Sequence, residues 1–281
     1  MILFKRAGEL AGWLQEQRKA GKEIGFVPTM GALHPGHISL IDISKKSTGL
    51  TVCSIFVNPT QFNDPGDFQK YPITIEKDIY LLEKAGTDVL FLPEVADMYP
   101  GGTKDLEKYA LGRLETILEG KYRPGHFQGV CQIVRRLLDI VHPDHLYMGQ
   151  KDYQQCMVIR RLLDIIGSNT RLHPCPILRE ADGLAMSSRN MRLTEDERKK
   201  APAIYQALTG LKESWPGSDD REDLITRARS ILEHNDFRID YVEIADAGTL
   251  EPLTAWNAQQ TAVALVAAFQ GEVRLIDNMT L

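Results

Sequence analysis

The chain has 281 residues, of which 43% are hydrophobic and 25% charged, with a formal net charge of −5. That length predicts about two domains, and the composition is ordinary for a globular protein with a sizeable core. The acidic balance argues against a nucleic-acid partner, the longest apolar runs fall short of the ~18 residues a membrane span needs, and Met1–Arg6 lacks the apolar stretch of a signal peptide.

In chain order, the first two-thirds alternates strand and helix signals. Short apolar runs predict buried strands at Gly25–Pro28, Thr51–Val57, Val89–Leu92 and His145–Met148. Helical spacing predicts helices after His37, over Ile75–Ala85, over Val130–Val141 and over Tyr153–Ile166. This alternation argues for a parallel α/β sheet with right-handed crossovers, whose ligands sit beyond the C-terminal strand ends. The last third differs. Thr194-Glu195-Asp196-Glu197 reads as a capping box opening a helix through about Ser214, and a second helix covers Arg221–His234. Three β-like runs follow at Ile239–Ala245, Thr261–Phe269 and Val273–Asn278, which make a small α+β unit. The four cysteines are scattered with no C-x-x-C pair, so reduced thiols in the cytoplasm are the simplest expectation.

Five segments carry chemistry. In Pro28-Thr29-Met30-Gly31-Ala32-Leu33-His34-Pro35-Gly36-His37, two histidines flank a Pro-Gly turn between a strand and a helix. A helix N-terminus offers unpaired N–H groups and a positive dipole end to a phosphate, and two imidazoles can stabilise charge on a phosphoryl group. The spacing alone is weak, since His142-Pro143-Asp144-His145 repeats it where a structural role is expected. No G-x-x-x-x-G-K-[ST] run exists. Phe56–Asn63 places Asn58 and Gln61 at a strand end, where amides suit a hydroxy acid; a plain Asn-Pro turn is the alternative. Tyr122–Val130 enters a helix and carries Arg123, an anion binder or a surface charge. Gly149-Gln150-Lys151-Asp152 is a strand-to-helix turn where Lys151 can neutralise a phosphate and Asp152 can equally be an N-cap, with Gln155 about one turn on. Asp182–Asn190 holds Met186-Ser187-Ser188-Arg189, a compact donor cluster suited to phosphate oxygens.

In this order, the five segments closely resemble the pantoate–β-alanine ligase family, the pantothenate synthetases, over nearly the whole chain and most strongly from Pro28 to Leu193. The resemblance implies a Rossmann-like parallel-sheet nucleotidyl-transferase domain over residues 1–176 that binds ATP and pantoate. A C-terminal α+β lid over residues 177–281 would follow it. His34-Pro35-Gly36-His37 matches the family's H-x-G-H signature, and Met186–Arg189 resembles the K-M-S-K-S loop of class I aminoacyl-tRNA synthetases. The implied reaction joins pantoate to β-alanine through a pantoyl adenylate, with Mg²⁺, and splits ATP into AMP and pyrophosphate.

Residue by residue, the resemblance implies that Met30, Gly31, Ala32, Leu33, His34, Pro35, Gly36 and His37 line the ATP site. His37, His34 and Lys151 would be catalytic, with His37 a proton donor or charge stabiliser. Gly149, Gln150, Lys151 and Asp152 would contact ATP, Lys151 at phosphate and Asp152 at ribose. Leu178 would meet adenine through its backbone, while Met186, Ser187, Ser188 and Arg189 would close over the triphosphate. Gln61 and Gln155 would hold pantoate, with Gln61 also near β-alanine; Asn58 and Arg123 would assist, and Asp78 would serve Mg²⁺. The family is commonly homodimeric. The chain departs from the family pattern at Gln150 (often Glu), Met148 (often Phe) and Arg135-Arg136 (usually one lysine). The alternatives are a nucleotidyltransferase that stops after adenylyl transfer, a non-catalytic nucleotide-binding module, and a tRNA-binding synthetase, which the acidic balance disfavours.

Overall fold

The computed structural model describes residues 1–62, 65–104, 106–218 and 220–281. The chain divides into two compact units, Met1–Pro176 and Ile177–Leu281.

The first unit is built on six strands: β1 (Ile2–Phe4), β2 (Ile24–Thr29), β3 (Leu50–Ile55), β4 (Val89–Phe91), β5 (His145–Gly149) and β6 (Arg171–Cys175). They pair in the order β1-β4-β3-β2-β5-β6, and every pairing is parallel. Alternation along the strands sorts two apolar faces. Phe26, Val52, Phe91, Leu146 and Met148 pack with the helices Ala7–Lys19, His126–Val141 and Tyr153–Ile165. Val27, Cys53, Ile55, Leu90 and Tyr147 pack with Pro35–Ser47 and Ile75–Lys84. Both faces are therefore covered, which explains why β3 is buried along its whole length. The chain runs outward from β2 through β3 to β4, then returns to β5 on the other side of β2. The strand order reverses between β2 and β5, the position at which doubly wound sheets open a ligand crevice.

Two strands escaped the sequence pattern. β1 is only three residues, and β6, Arg-Leu-His-Pro-Cys, is a polar edge strand whose Pro174 is tolerated there. The helix Ala7–Lys19 lies outside that pattern as well.

The second unit stacks helices on an antiparallel sheet of β7 (Phe237–Asp246), β8 (Ala262–Gln270) and β9 (Val273–Thr280), in that order. Ile204, Leu208, Leu211, Trp215, Leu224 and Leu232 from its helices close on Val242, Ile244, Ala264 and Val266. The capping box forms, with Thr194 accepting from the Glu197 N–H and Glu197 from the Thr194 N–H. The helix it opens ends at Lys200, however, and a separate one spans Ala203–Ser214. Pro202 is the cause: it carries no N–H for the helical ladder and obstructs the preceding turn.

Candidate active site

β2 leads into a turn in which Gly31 and Ala32 both take positive φ, +81° and +49°. For alanine this conformation costs about 1–2 kcal/mol. The compensation comes from Asp78 on the helix Ile75–Lys84. Its Oδ2 accepts from the Ala32 N–H at 2.9 Å, and its Oδ1 accepts from the Leu33 N–H at 2.8 Å and the Thr74 hydroxyl at 3.0 Å. The Thr29 hydroxyl adds a bond from the Gly31 N–H and donates to Ser54 O. So held, the chain enters the helix Pro35–Ser47 with His34 at the N-cap and Pro35 at the first helical position.

The His34 and His37 rings lie 4.0 Å apart between centroids. The His34 N–H points at His37 Nδ1 over 3.4 Å, which leaves the proton of a neutral His37 on Nε2 as a donor. Burial holds the His37 imidazole well below its ordinary pKa, and the charges of His34 and Lys151 push it the same way. His37 is thus neutral at pH 7. Lys151 comes from the neighbouring strand: β5 ends at Gly149 and the short turn Gln150–Asp152 opens the helix Tyr153–Ile165. Because β2 and β5 are parallel neighbours, both turns emerge at one sheet edge. Asp152 occupies the N-cap position, yet its carboxylate makes no capping bond. The other H-x-x-H pair behaves differently. His142 ends the helix His126–Val141 in a left-handed conformation, and His145 lies within β5, 2.8 Å from His173.

After β3, Asn58 caps the single turn Pro59–Gln61. Asn58 is 1% exposed, and its amide bonds to Thr60, Tyr99, Gly129 and Gln61. It therefore shapes the site from behind rather than facing a ligand. Gln61 turns its Nε2 to Met30 Sδ at 2.9 Å, so the acid-binding candidate touches the first residue of the phosphate turn. Arg123 is engaged by His126 at 3.0 Å and Glu119 at 3.7 Å. Gln155 makes no side-chain hydrogen bond among the described residues, whereas its neighbour Gln154 is buried and tied to Leu114, Ile117 and Glu119. Asn63, at the end of this segment, lies outside the described residues.

In the second unit, the Leu178 carbonyl accepts from the Met186 N–H at 3.0 Å. Ser187 caps the short turn Ser188–Arg192, accepting from the Arg189 N–H, and a hydroxyl so engaged can still donate. Arg179 braces the loop through Asp277 at 2.6 Å, and Arg198 does so through Asp182 and Glu180.

The expectation for Asp78 changes. Asp78 is 0% exposed with both oxygens bound to turn donors, so it anchors backbone and presents nothing to Mg²⁺. Among the described residues, no group of three His, Cys, Asp or Glu side chains could hold a metal. Sequence reasoning also missed Gly129. A Cβ there would stand 2.2 Å from Thr60 O, so only glycine lets this helix approach the Gln61 turn. Its signal was a glycine inside a helical run, which costs ~1 kcal/mol and calls for a packing reason. The cysteines are all free and buried; burial raises Cys53, Cys131 and Cys156 to about 12.

The family model for pantoate-beta-alanine ligase matches residues 2–280. A pantothenate synthetase of Bacteroides thetaiotaomicron is 44% identical over 271 residues, 96% of this chain and 95% of the relative. One from Caldicellulosiruptor bescii is 41% identical over 99% of this chain and 98% of its own. The crystal structure of pantothenate synthetase from Thermus thermophilus superposes with a TM-score of 0.91 at 41% identity, covering 99% of both chains. The pantoate-beta-alanine ligase of Francisella tularensis, complexed with beta-gamma ATP and beta-alanine, superposes with a TM-score of 0.81 at 38% identity over 100% of this chain and 97% of that one. With the H-x-G-H turn set at the reversal of a parallel sheet and these likenesses spanning its length, the chain belongs to the pantoate–β-alanine ligase family.

Proposed function

We propose that the protein joins pantoate to β-alanine at the cost of ATP, through a pantoyl adenylate, and that AMP and pyrophosphate are released. The observation that carries this reading is the meeting of His34, His37 and Lys151 at the β2–β5 reversal, with Gln61 in contact with Met30 of the same turn.

A carboxylate is a poor acyl donor, because its leaving group would be oxide. In the first step a pantoate carboxylate oxygen bonds to the α-phosphorus of ATP and the bond to the β-phosphate bridge breaks. Pyrophosphate leaves with Mg²⁺, which enters as part of the nucleotide substrate. In the second step the β-alanine amine attacks the activated carbonyl, loses a proton, and expels AMP. Neither step needs a covalent enzyme intermediate. The protein's share is positioning and charge stabilisation. His37 Nε2–H and Lys151 serve the phosphoryl oxygens, His34 supports His37, and Met30–His37 with Gly149–Asp152 line the nucleotide, Asp152 at the ribose. Gln61 and Gln155 hold pantoate. Leu178 backbone and Met186–Arg189 serve adenine and triphosphate. We extend the proposal to a homodimer working in the cytoplasm, on the family likeness alone. No helix among the described residues is long and apolar enough to cross a membrane.

The test is release of pyrophosphate and AMP from MgATP plus pantoate, with and without β-alanine. The expected result is one pyrophosphate per site with pantoate alone, followed by turnover to AMP once β-alanine is added. Pyrophosphate without amine-dependent AMP would mark an adenylyltransferase instead, and no pyrophosphate at all would remove pantoate as substrate.

A further inference from the structure

Two buried side chains around Gln61 have their polarity dictated by partners that can play only one part. Asn58 Oδ1 meets the Thr60 N–H at 3.4 Å and the Tyr99 hydroxyl at 2.7 Å, while its Nδ2 meets the Gly129 carbonyl at 3.2 Å. A peptide N–H only donates and a carbonyl only accepts, so the Asn58 amide has one possible orientation. Its second Nδ2 hydrogen then goes to Gln61 Oε1 at 3.2 Å. That bond engages the Gln61 oxygen and fixes its amide so that Nε2 faces Met30 Sδ, a weak acceptor that a ligand oxygen readily replaces.

His126 holds the same residue by its backbone. Its Nδ1 lies 2.8 Å from Gln61 O and its Nε2 lies 3.0 Å from Arg123 Nη1. A guanidinium only donates, so Nε2 is the acceptor and the ring carries its proton on Nδ1. Gly129, one turn along from His126, is the same glycine whose missing Cβ admits the Thr60–Gln61 backbone. Gln61 is thus clamped at its carbonyl and its side-chain oxygen, with its Nε2 donors turned to Met30.

We propose that His126 and Asn58 are positioning residues that present Gln61 Nε2 to pantoate as a hydrogen-bond donor, so that this nitrogen takes a carboxylate or hydroxyl oxygen. This rests on the ligase reading above. It assigns a task to His126, and it replaces a substrate contact by Asn58 with an indirect one.

The experiment is steady-state kinetics on the full chain with each of the three substrates varied, alongside thermal unfolding. His126→Leu is expected to raise the pantoate KM by about tenfold or more, the loss of one well-placed hydrogen bond, with the ATP KM unchanged. His126→Asn, whose amide nitrogen falls where Nδ1 was, is expected to restore most of it; a merely space-filling histidine would give no such rescue. The sign of the polarity is read from Gln61→Glu against Gln61→Met. Glutamate would set an acceptor against the pantoate oxygen and is expected to raise the pantoate KM beyond the methionine variant. A pantoate KM within twofold of wild type in His126→Leu would overturn the proposal. So would equal rises in all three KM values without rescue by asparagine, or a pantoate KM in Gln61→Glu no higher than in Gln61→Met. If the leucine variant does not fold, His126→Asn and the Gln61 pair still decide. Wild-type protein that forms no pantothenate would overturn the ligase reading and this inference together, whereas active wild type with any of the three contrary results overturns this inference alone.

Discussion

His37 is kept neutral first by burial, then by His34 and Lys151, and that has consequences for stability and for binding. Its folded pKa lies below the ordinary value of about 6.5, so below that pH the unfolded chain binds a proton that the folded chain refuses. The stability it contributes is therefore complete above about pH 6.5 and is lost as the pH falls towards the folded value. Urea unfolding at pH 7.5 and 5.5 should show a larger acid loss for wild type than for His37→Asn. Part of the loss remains in the variant, because His173 is lowered as well, by burial, His145 and Arg171. Ligand binding runs the other way. A polyphosphate set against His37 offsets the charges of His34 and Lys151, so MgATP binding near pH 6.5 should take up a proton. Calorimetry in two buffers of different ionisation enthalpy measures that uptake, and His37→Asn should abolish it. For His37→Ala the expected effect on turnover is a loss of roughly 10²–10⁴-fold with the fold intact. Single-turnover adenylate formation at the wild-type rate would remove His37 from the chemistry.

The elements show what could be read along the chain and what could not. β2, β3, β4 and β5 were legible because both faces of the sheet are covered, so their apolar runs are nearly continuous. β1 and β6 were not, since a short edge strand has little to bury on either side. The H-x-G-H turn was legible as residues, but its anchor was not. Asp78 lies 46 residues from the Ala32 N–H it holds, and only the packing of the helix Ile75–Lys84 on this face of the sheet brings them together. His126 and Gln61 are likewise 65 residues apart, joined by the packing of the helix His126–Val141 on the turn Pro59–Gln61. Local motifs name the groups that meet a ligand, whereas the groups that aim them come from elsewhere in the sheet. Asp78 gives this a test. Asp78→Ala would take the carboxylate away from the buried Ala32 and Leu33 N–H groups beside a strained residue, at a cost of about 2–5 kcal/mol. Asp78→Asn keeps one acceptor and should cost less. In both, denaturant midpoints should fall while the Mg²⁺ concentration for half-maximal activity stays unchanged in whatever protein remains folded. A tenfold rise in that concentration for a stable Asp78→Asn would restore a metal role to this carboxylate.

At the scale of the whole molecule, each unit has its own apolar core, and the residues proposed for ATP fall on both. Separate cores predict more than one unfolding transition, since two-state behaviour is a property of single domains. The tryptophans report the units separately. Trp13 belongs to the first, where it packs against Phe4 at 5.7 Å, and Trp215 is buried in the second. Variants retaining one of these and replacing the other, together with Trp256, by phenylalanine would follow each unit in the intact chain. MgATP at 100 times its Kd stabilises whatever binds it by about 2.7 kcal/mol. The first unit holds His37 and Lys151, so the Trp13 transition should move to higher urea with MgATP. The second unit holds Leu178 and Met186–Arg189, so the Trp215 transition should move as well if those residues take adenine and triphosphate. A shift confined to Trp13 would remove the second unit from nucleotide binding and leave its loop with a role in the β-alanine step or none. A shift in both that disappears from Trp215 in Ser188→Ala, with Trp13 still responding, would assign the second unit's share of the nucleotide to that loop.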